Sequence, residues 1–226
     1  MLKTVFFDAA GTLFETRRPV GDLYADVARG FGANVSGKAI SAAFRHSFGS
    51  APGLAFGPGR EGTELRRLER EWWRQRVSET FAGLHQFDNF DAYFDALFEF
   101  FGDCANWVVF DDVFPALEDL RGAGLRLAVI SNFDSRLYRL LQGLGLQRYF
   151  DSVTISSEAG YAKPDPELFN FALAAMGTSA DEALHVGDAP HLDVAGANAA
   201  GIEAILIRRP PEGPVRPTKP DPTKVL

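Results

Sequence analysis

Five short apolar runs, at residues 4–7, 125–130, 152–155, 183–186 and 203–207, are rich in β-branched or large side chains and read as buried strands. Segments with helical spacing separate the later four, at 135–144, 166–176 and 192–199. A further helix, 113–121, leads through a Gly-Ala-Gly turn into the second run. Strands that alternate with helices imply a parallel sheet covered on both faces. The expected fold is therefore α/β, a Rossmann-like three-layer core.

The first strand is separated from the other four by a stretch of different texture. Residues 14–107 show helical spacing at 23–31, 39–48, 64–81 and 90–101, with no good strand among them, and predict a helical insert. Its aromatic crowding (Phe44, Phe48, Trp72, Trp73, Phe81, Phe94, Phe98 and Phe101) reads as the insert's own core rather than a ligand-binding stripe. The expected division is a core from 1–15 and 108–210, an insert at 16–107, and an extended Pro-rich tail at 211–226. Three look-alike motifs fall inside the insert. Residues 32–39 match a phosphate-binding loop up to Lys38, but Ala39 replaces the hydroxyl and a helix precedes them. Residues 57–62 match a dinucleotide fingerprint, but Pro58 interrupts it and no strand leads in. The basic stretch 66–76 interleaves Glu69 and Glu71 with helical apolar spacing, as a solvated helix face does.

Charge and cysteine content narrow the setting. Thirty acidic against 23 basic side chains give a net charge of -7, and no local basic patch offsets it, so nucleic acid is disfavoured as a partner. The single cysteine, Cys104, can form no internal disulfide and fits a reduced compartment. Asp8 breaks the N-terminal apolar stretch before a signal-peptide core can form, and no run reaches the length of a membrane span. The expected location is cytoplasmic, with no membrane partner.

In open parallel sheets ligands bind beyond the carboxyl ends of the strands. Asp8 follows the first strand here, Ser131 and Asn132 the second, Lys163 lies past the third, and Asp188 follows the fourth with Asp193 five residues on. A single such residue could simply cap the next helix; all four ends carrying groups that one reaction needs is a stronger signal. Three carboxylates in one crevice repel each other unless a cation is present, and oxygen-only ligands suit Mg²⁺, which shares itself with a phosphate. Lys163 and the Ser131 hydroxyl would hold phosphoryl oxygens, which leaves Asp8 as a nucleophile able to split a hydrolysis into two steps.

The stretches FDAAGTLF, VISNFD, AKPDP and VGDAPHLD, in this order, resemble the four motifs of the haloacid dehalogenase superfamily, and the insert sits where the helical cap of its first subfamily belongs. The resemblance runs from residue 3 to about 207. It implies a hydrolase with Asp8 as nucleophile, the Ala10 backbone carbonyl as a metal ligand, and Thr12 and Ser131 on the phosphate. It also implies that Lys163 bridges nucleophile and phosphate, that Asp188 binds Mg²⁺ with Asp193 beside it, and that Asn132 and Asp134 support the loop.

One position departs from the pattern. Phosphatases of this superfamily usually carry a second aspartate two residues after the nucleophile, where it protonates the leaving group and then activates water; here that residue is Ala10, whose methyl group can do neither. General acid-base catalysis is worth about 10²- to 10⁴-fold. Three readings follow: a Mg²⁺-dependent phosphatase acting on a small phosphorylated molecule, slow or confined to good leaving groups; a 2-haloacid dehalogenase, since halide leaves unprotonated; or a non-catalytic phosphate-binding or interaction protein. His191, in the fourth motif, invites a stand-in acid role, whereas His185 lies within its strand and reads as a packed residue.

Overall fold

The computed structural model describes residues 1–209; the tail expected at 211–226 lies outside them. Five parallel strands form one sheet, in the order β5 (Ser152–Ile155), β4 (Arg126–Ser131), β1 (Thr4–Phe7), β6 (Ala183–Gly187) and β7 (Glu203–Leu206). Alternation along β1 divides the core in two. Val5 and Phe7 point with Leu127 and Val129 of β4 into one apolar layer, shared with Leu137 and Leu140 of helix α6 (Arg136–Gly143) and Leu117 of α5 (Val113–Gly122). Phe6, Ala128 and Ile130 point the other way, against Leu168, Phe169 and Ala172 of α8 (Pro166–Met176). The parallel, doubly covered sheet expected from the strand and helix alternation is the fold observed.

From β1 the chain builds outward through β4 to β5, then crosses to β6 and β7, so the strand order reverses at the centre. A crevice opens there, beyond the carboxyl ends of β1, β4 and β6. Its detail depends on two local departures from the sequence expectation. The segment 192–199 is not one helix but a π-helical turn, Pro190–Ala195, running into the short α9 (Gly196–Ala199). The wider turn draws Asp193 inward, where its Oδ2 accepts from the Ala189 amide at 3.0 Å. At the edges of the insert, β2 (Phe14–Thr16) and β3 (Trp107–Val109) pair as an antiparallel ribbon where no strand was expected. Three residues per strand give too little alternation to read, and the pairing becomes possible only once the insert has returned the chain to its starting point.

Between these strands, α1 (Val20–Arg29), α2 (Gly37–Gly49), α3 (Gly62–Phe81) and α4 (Phe90–Gly102) gather around Tyr24, Ile40, Val77, Phe81, Tyr93 and Leu97. Ser36 and Asn89 cap α2 and α4, accepting from the Ala39 and Ala92 amides. The stretch 66–76 of α3 is not wholly a solvated face. Arg67 and Glu71 do pair in solvent, but Glu69 is 2% exposed and Arg76 4%. Glu69 is buried because the core supplies its donors. Its carboxylate takes hydrogen bonds from the Ser135 amide at 3.0 Å and the Ser135 and Ser157 hydroxyls at 2.5 and 2.7 Å. Nearby, the Trp73 indole donates to Asp134 at 2.6 Å.

Candidate active site

The end of β1 leaves Asp8 on the floor of the crevice, held by its own amide, which donates to the Val186 carbonyl at 2.9 Å. Lys163, only 4% exposed, reaches it from the loop after β5: Nζ lies 2.8 Å from Asp8 Oδ1 and 2.6 Å from Asp193 Oδ1. Ser131, the last residue of β4, donates to Asp8 Oδ1 at 3.3 Å. The side chain of Asn132 is spent on the lysine's backbone, accepting from its amide at 2.8 Å and donating to its carbonyl at 3.0 Å. It therefore fixes the loop that carries Lys163 rather than presenting a free amide. Residues 8, 131, 132, 163, 188 and 193, spread over most of the chain, all line one cavity of about 610 Å³, together with Ala10.

One carboxylate oxygen from each of Asp8, Asp188 and Asp193 lies within 4.8 Å of the other two. Two glycines make this crowding possible. A Cβ on Gly11, which has φ +92°, would lie 2.5 Å from Asp188 Oδ2, and one on Gly187 would lie 2.2 Å from Asp193 Cγ. Burial, reinforced by the negative charges of Asp8 and Asp193, pushes Asp188 up to about 6. Burial acts the same way on Asp193, but the His185 hydrogen bond and the Lys163 ammonium outweigh it and hold Asp193 well below the usual carboxylate range. Burial alone would lower Lys163; the two carboxylates on its ammonium keep it above its ordinary value. Asp193 is thus already supplied with donors, from Lys163 and His185 on Oδ1 and Ala189 on Oδ2.

Thr12 lies apart from this constellation. It is buried, it is not among the residues that line the cavity, and its hydroxyl has no partner among the described residues. His191 is exposed and does not line the cavity either. His185 is fully buried, its Nε2 3.0 Å from Asp193 and its ring edge-to-face with Phe169. The upper walls come from the helical insert, including Phe44, Phe48, Trp72, Trp73, Phe94, Phe98 and Phe101. These aromatics, read from sequence as the insert's own packing, also face the cavity. Reasoning from strand ends missed Tyr24 and Arg136 in these walls, because neither carries a signal beyond ordinary helical spacing.

Residues 2–201 match the haloacid dehalogenase-like hydrolase family. The chain belongs to that family. The human haloacid dehalogenase-like hydrolase domain-containing protein 3 is 36% identical over 211 residues, covering 92% of this chain and 83% of that protein. A phosphoserine phosphatase of Thermus thermophilus is 41% identical over 111 residues, 49% of this chain and 45% of that enzyme. Among solved structures, the Bacillus subtilis HAD-hydrolase YfnB bound to magnesium superposes with a TM-score of 0.72 at 18% identity, covering 91% of this chain and 88% of that one. This last likeness speaks for the fold alone. As a haloacid dehalogenase-like hydrolase, the protein is an enzyme of bond hydrolysis, with relatives that cleave phosphate esters.

Proposed function

We propose that the protein is a Mg²⁺-assisted phosphatase acting on a small phosphorylated molecule through an aspartyl-phosphate at Asp8. The observation that carries this reading is the packing of three carboxylates within 4.8 Å of one another around a single buried ammonium. Such a cluster is short of positive charge, and a hard divalent cation with oxygen ligands corrects that. The donor set therefore fits Mg²⁺: Asp8, Asp188 and the Ala10 carbonyl would hold it, with Asp193 beside them. When bound, the ion would offset charge between the carboxylates and the phosphoryl oxygens.

The chain's own residues do the rest. A carboxylate oxygen of Asp8 attacks phosphorus, and the leaving oxygen departs with its electron pair. Water then attacks the phosphorus of the aspartyl-phosphate, releasing inorganic phosphate and restoring Asp8. Lys163 and Ser131, both on Asp8 Oδ1, would hold phosphoryl oxygens. Asp193 positions Lys163. Among the described residues no helix is long and apolar enough to cross a membrane.

Phosphate release from acetyl phosphate and aryl phosphates, with Mg²⁺ and with chelator, tests the reading. Wild type is expected to turn over only with Mg²⁺, and Asp8→Asn to lose turnover at least 10³-fold while still binding phosphate. A second reading, dehalogenation, draws on Ala10, which lines the cavity with no acid to offer, because halide leaves without a proton. Chloride release from 2-chloropropionate in the absence of metal would reverse the order of the two. Phosphate binding without any turnover would leave a binding protein instead.

A further inference from the structure

We propose that the substrate is an aryl phosphate, the monoester of an uncharged phenol-type alcohol; this rests on the phosphatase reading above. Two independent observations converge on it. The first is the chemistry of the cavity walls. Above the acidic floor the cavity is walled by Tyr24, Phe44, Trp73, Phe94, Phe98 and Trp107, and among the described residues Arg136 is the only charged one that lines it outside the cluster at Asp8. That guanidinium is already committed. It donates to both oxygens of Asp134 at 2.8 and 2.6 Å and to the Phe98 carbonyl at 3.0 Å, and it lies 3.8 Å over the Phe98 ring. A substrate body bearing an ammonium, a carboxylate or many hydroxyls would surrender its hydration and meet no partner there. A flat apolar ring, by contrast, gains both buried area and edge-to-face contacts.

The second observation is the missing acid. Ala10 cannot protonate a leaving oxygen, and the other acidic groups lining the cavity among the described residues are committed: Asp193 is engaged by Lys163, His185 and the Ala189 amide, and Asp8 and Asp188 are the nucleophile and the cation's ligand in the reading above. Burial pushes the Tyr24 phenol well above its ordinary range, and the Lys163 ammonium spends its donors on Asp8 and Asp193 at 2.8 and 2.6 Å. The leaving oxygen must then depart as an anion. A phenolate is a weak base, with a conjugate acid near about 10, whereas an aliphatic alkoxide resembles hydroxide, near about 15.7. The chemistry balances without a protein acid. Asp8 forms a bond to phosphorus as the phosphorus-to-aryl-oxygen bond breaks, the electron pair leaves on the phenolate, and water protonates it. A second water cleaves the aspartyl-phosphate, giving phenol and inorganic phosphate overall.

The test compares kcat/KM, with Mg²⁺, for phenyl, benzyl and methyl phosphate, O-phosphoserine and acetyl phosphate. Benzyl and methyl phosphate share an aliphatic leaving group, so their ratio reports the ring; phenyl and benzyl phosphate share the ring, so theirs reports the leaving group. In kcat/KM, which reports the steps through departure of the leaving group, benzyl phosphate is expected to exceed methyl phosphate at least tenfold and phenyl to exceed benzyl at least 100-fold. Phe44→Ala and Trp73→Ala, two separate variants, are each expected to shrink the benzyl-to-methyl ratio below threefold. Methyl phosphate or phosphoserine performing as well as benzyl phosphate would overturn the aryl assignment and leave the phosphatase reading standing. Failure of all five compounds would remove the phosphatase reading and this inference with it. Calorimetric binding to Asp8→Asn separates the cases further: benzyl phosphate should bind at least tenfold more tightly than methyl phosphate, and equal affinity would also overturn the aryl assignment.

Discussion

At the scale of single residues, Ala10 decides the chemistry. Ala10 lines a cavity whose floor brings Asp8, the buried Lys163 and the Ser131 hydroxyl together, and under the phosphatase reading it leaves both leaving-group protonation and water activation without a side chain at that position. Ala10→Asp is therefore expected to raise kcat/KM for benzyl phosphate by about 10²-fold or more and to change that for phenyl phosphate little, because general acid catalysis helps most where the leaving group is most basic. Steady-state rates on the two esters check this, and equal gains on both would mean that the new carboxylate acts on something other than the leaving oxygen. Asp8, Ser131, Lys163, Asp188 and Asp193 were legible in the sequence because each follows a strand end, where topology alone aims a side chain at the crevice. Glu69 was not. It stands among arginines on an amphipathic helix, and only the serines that face it across the interface, at positions 135 and 157, make it a buried group.

At the scale of elements, the strands and helices of the sheet domain were legible from period and length, whereas the β2 and β3 ribbon, set by a pairing distant in sequence, and the π-helical turn, which shares its apolar spacing with an ordinary helix, were not. The ribbon joins the helical insert to the core, with Phe14 edge-on to Trp107 at 5.4 Å. A second attachment lies on α3, where Glu69 collects its three donors and Trp73 reaches Asp134. Glu69→Ala would leave the Ser135 amide and two hydroxyls without their acceptor in a dry interface, at a cost of about 2–3 kcal/mol. Urea unfolding measures that loss. Amide exchange at Ser135 should also accelerate more than exchange within β1, because the bond broken lies between insert and core. Glu69→Gln keeps the shape and one acceptor oxygen, so it should fall between the wild type and Glu69→Ala.

For the whole molecule, the acidic cluster links metal, pH and stability. A cation that binds the folded chain and not the unfolded one stabilises it by RT ln(1 + [L]/Kd), about 2.7 kcal/mol at a hundredfold excess over Kd. For a chain of this size each kcal/mol moves Tm by roughly 2–4 °C, so saturating Mg²⁺ is expected to raise Tm by about 5–10 °C. The pH dependence follows from Asp188, raised to about 6 by burial and by Asp8 and Asp193. Its folded value lies above its unfolded one, so in the metal-free protein its protonation favours folding, an advantage lost as pH rises through about 6. His185, lowered by burial despite its bond to Asp193, works in the opposite direction, because the fold favours its neutral ring. Metal-free stability against pH thus mixes two opposed contributions. The difference in Tm between metal-loaded and metal-free protein at the same pH largely removes the histidine, since His185 titrates in both, and leaves competition between Mg²⁺ and the proton on Asp188. That difference should be full at pH 7.5, shrink as pH falls through 6, and be small at pH 5. Asp188→Asn relieves the repulsion and removes an anionic ligand, so its metal-free Tm should exceed the wild type's at pH 7.5 while its Mg²⁺ increment nearly vanishes. A variant that keeps the full increment would show that the ion, if it binds, is held elsewhere than on Asp188.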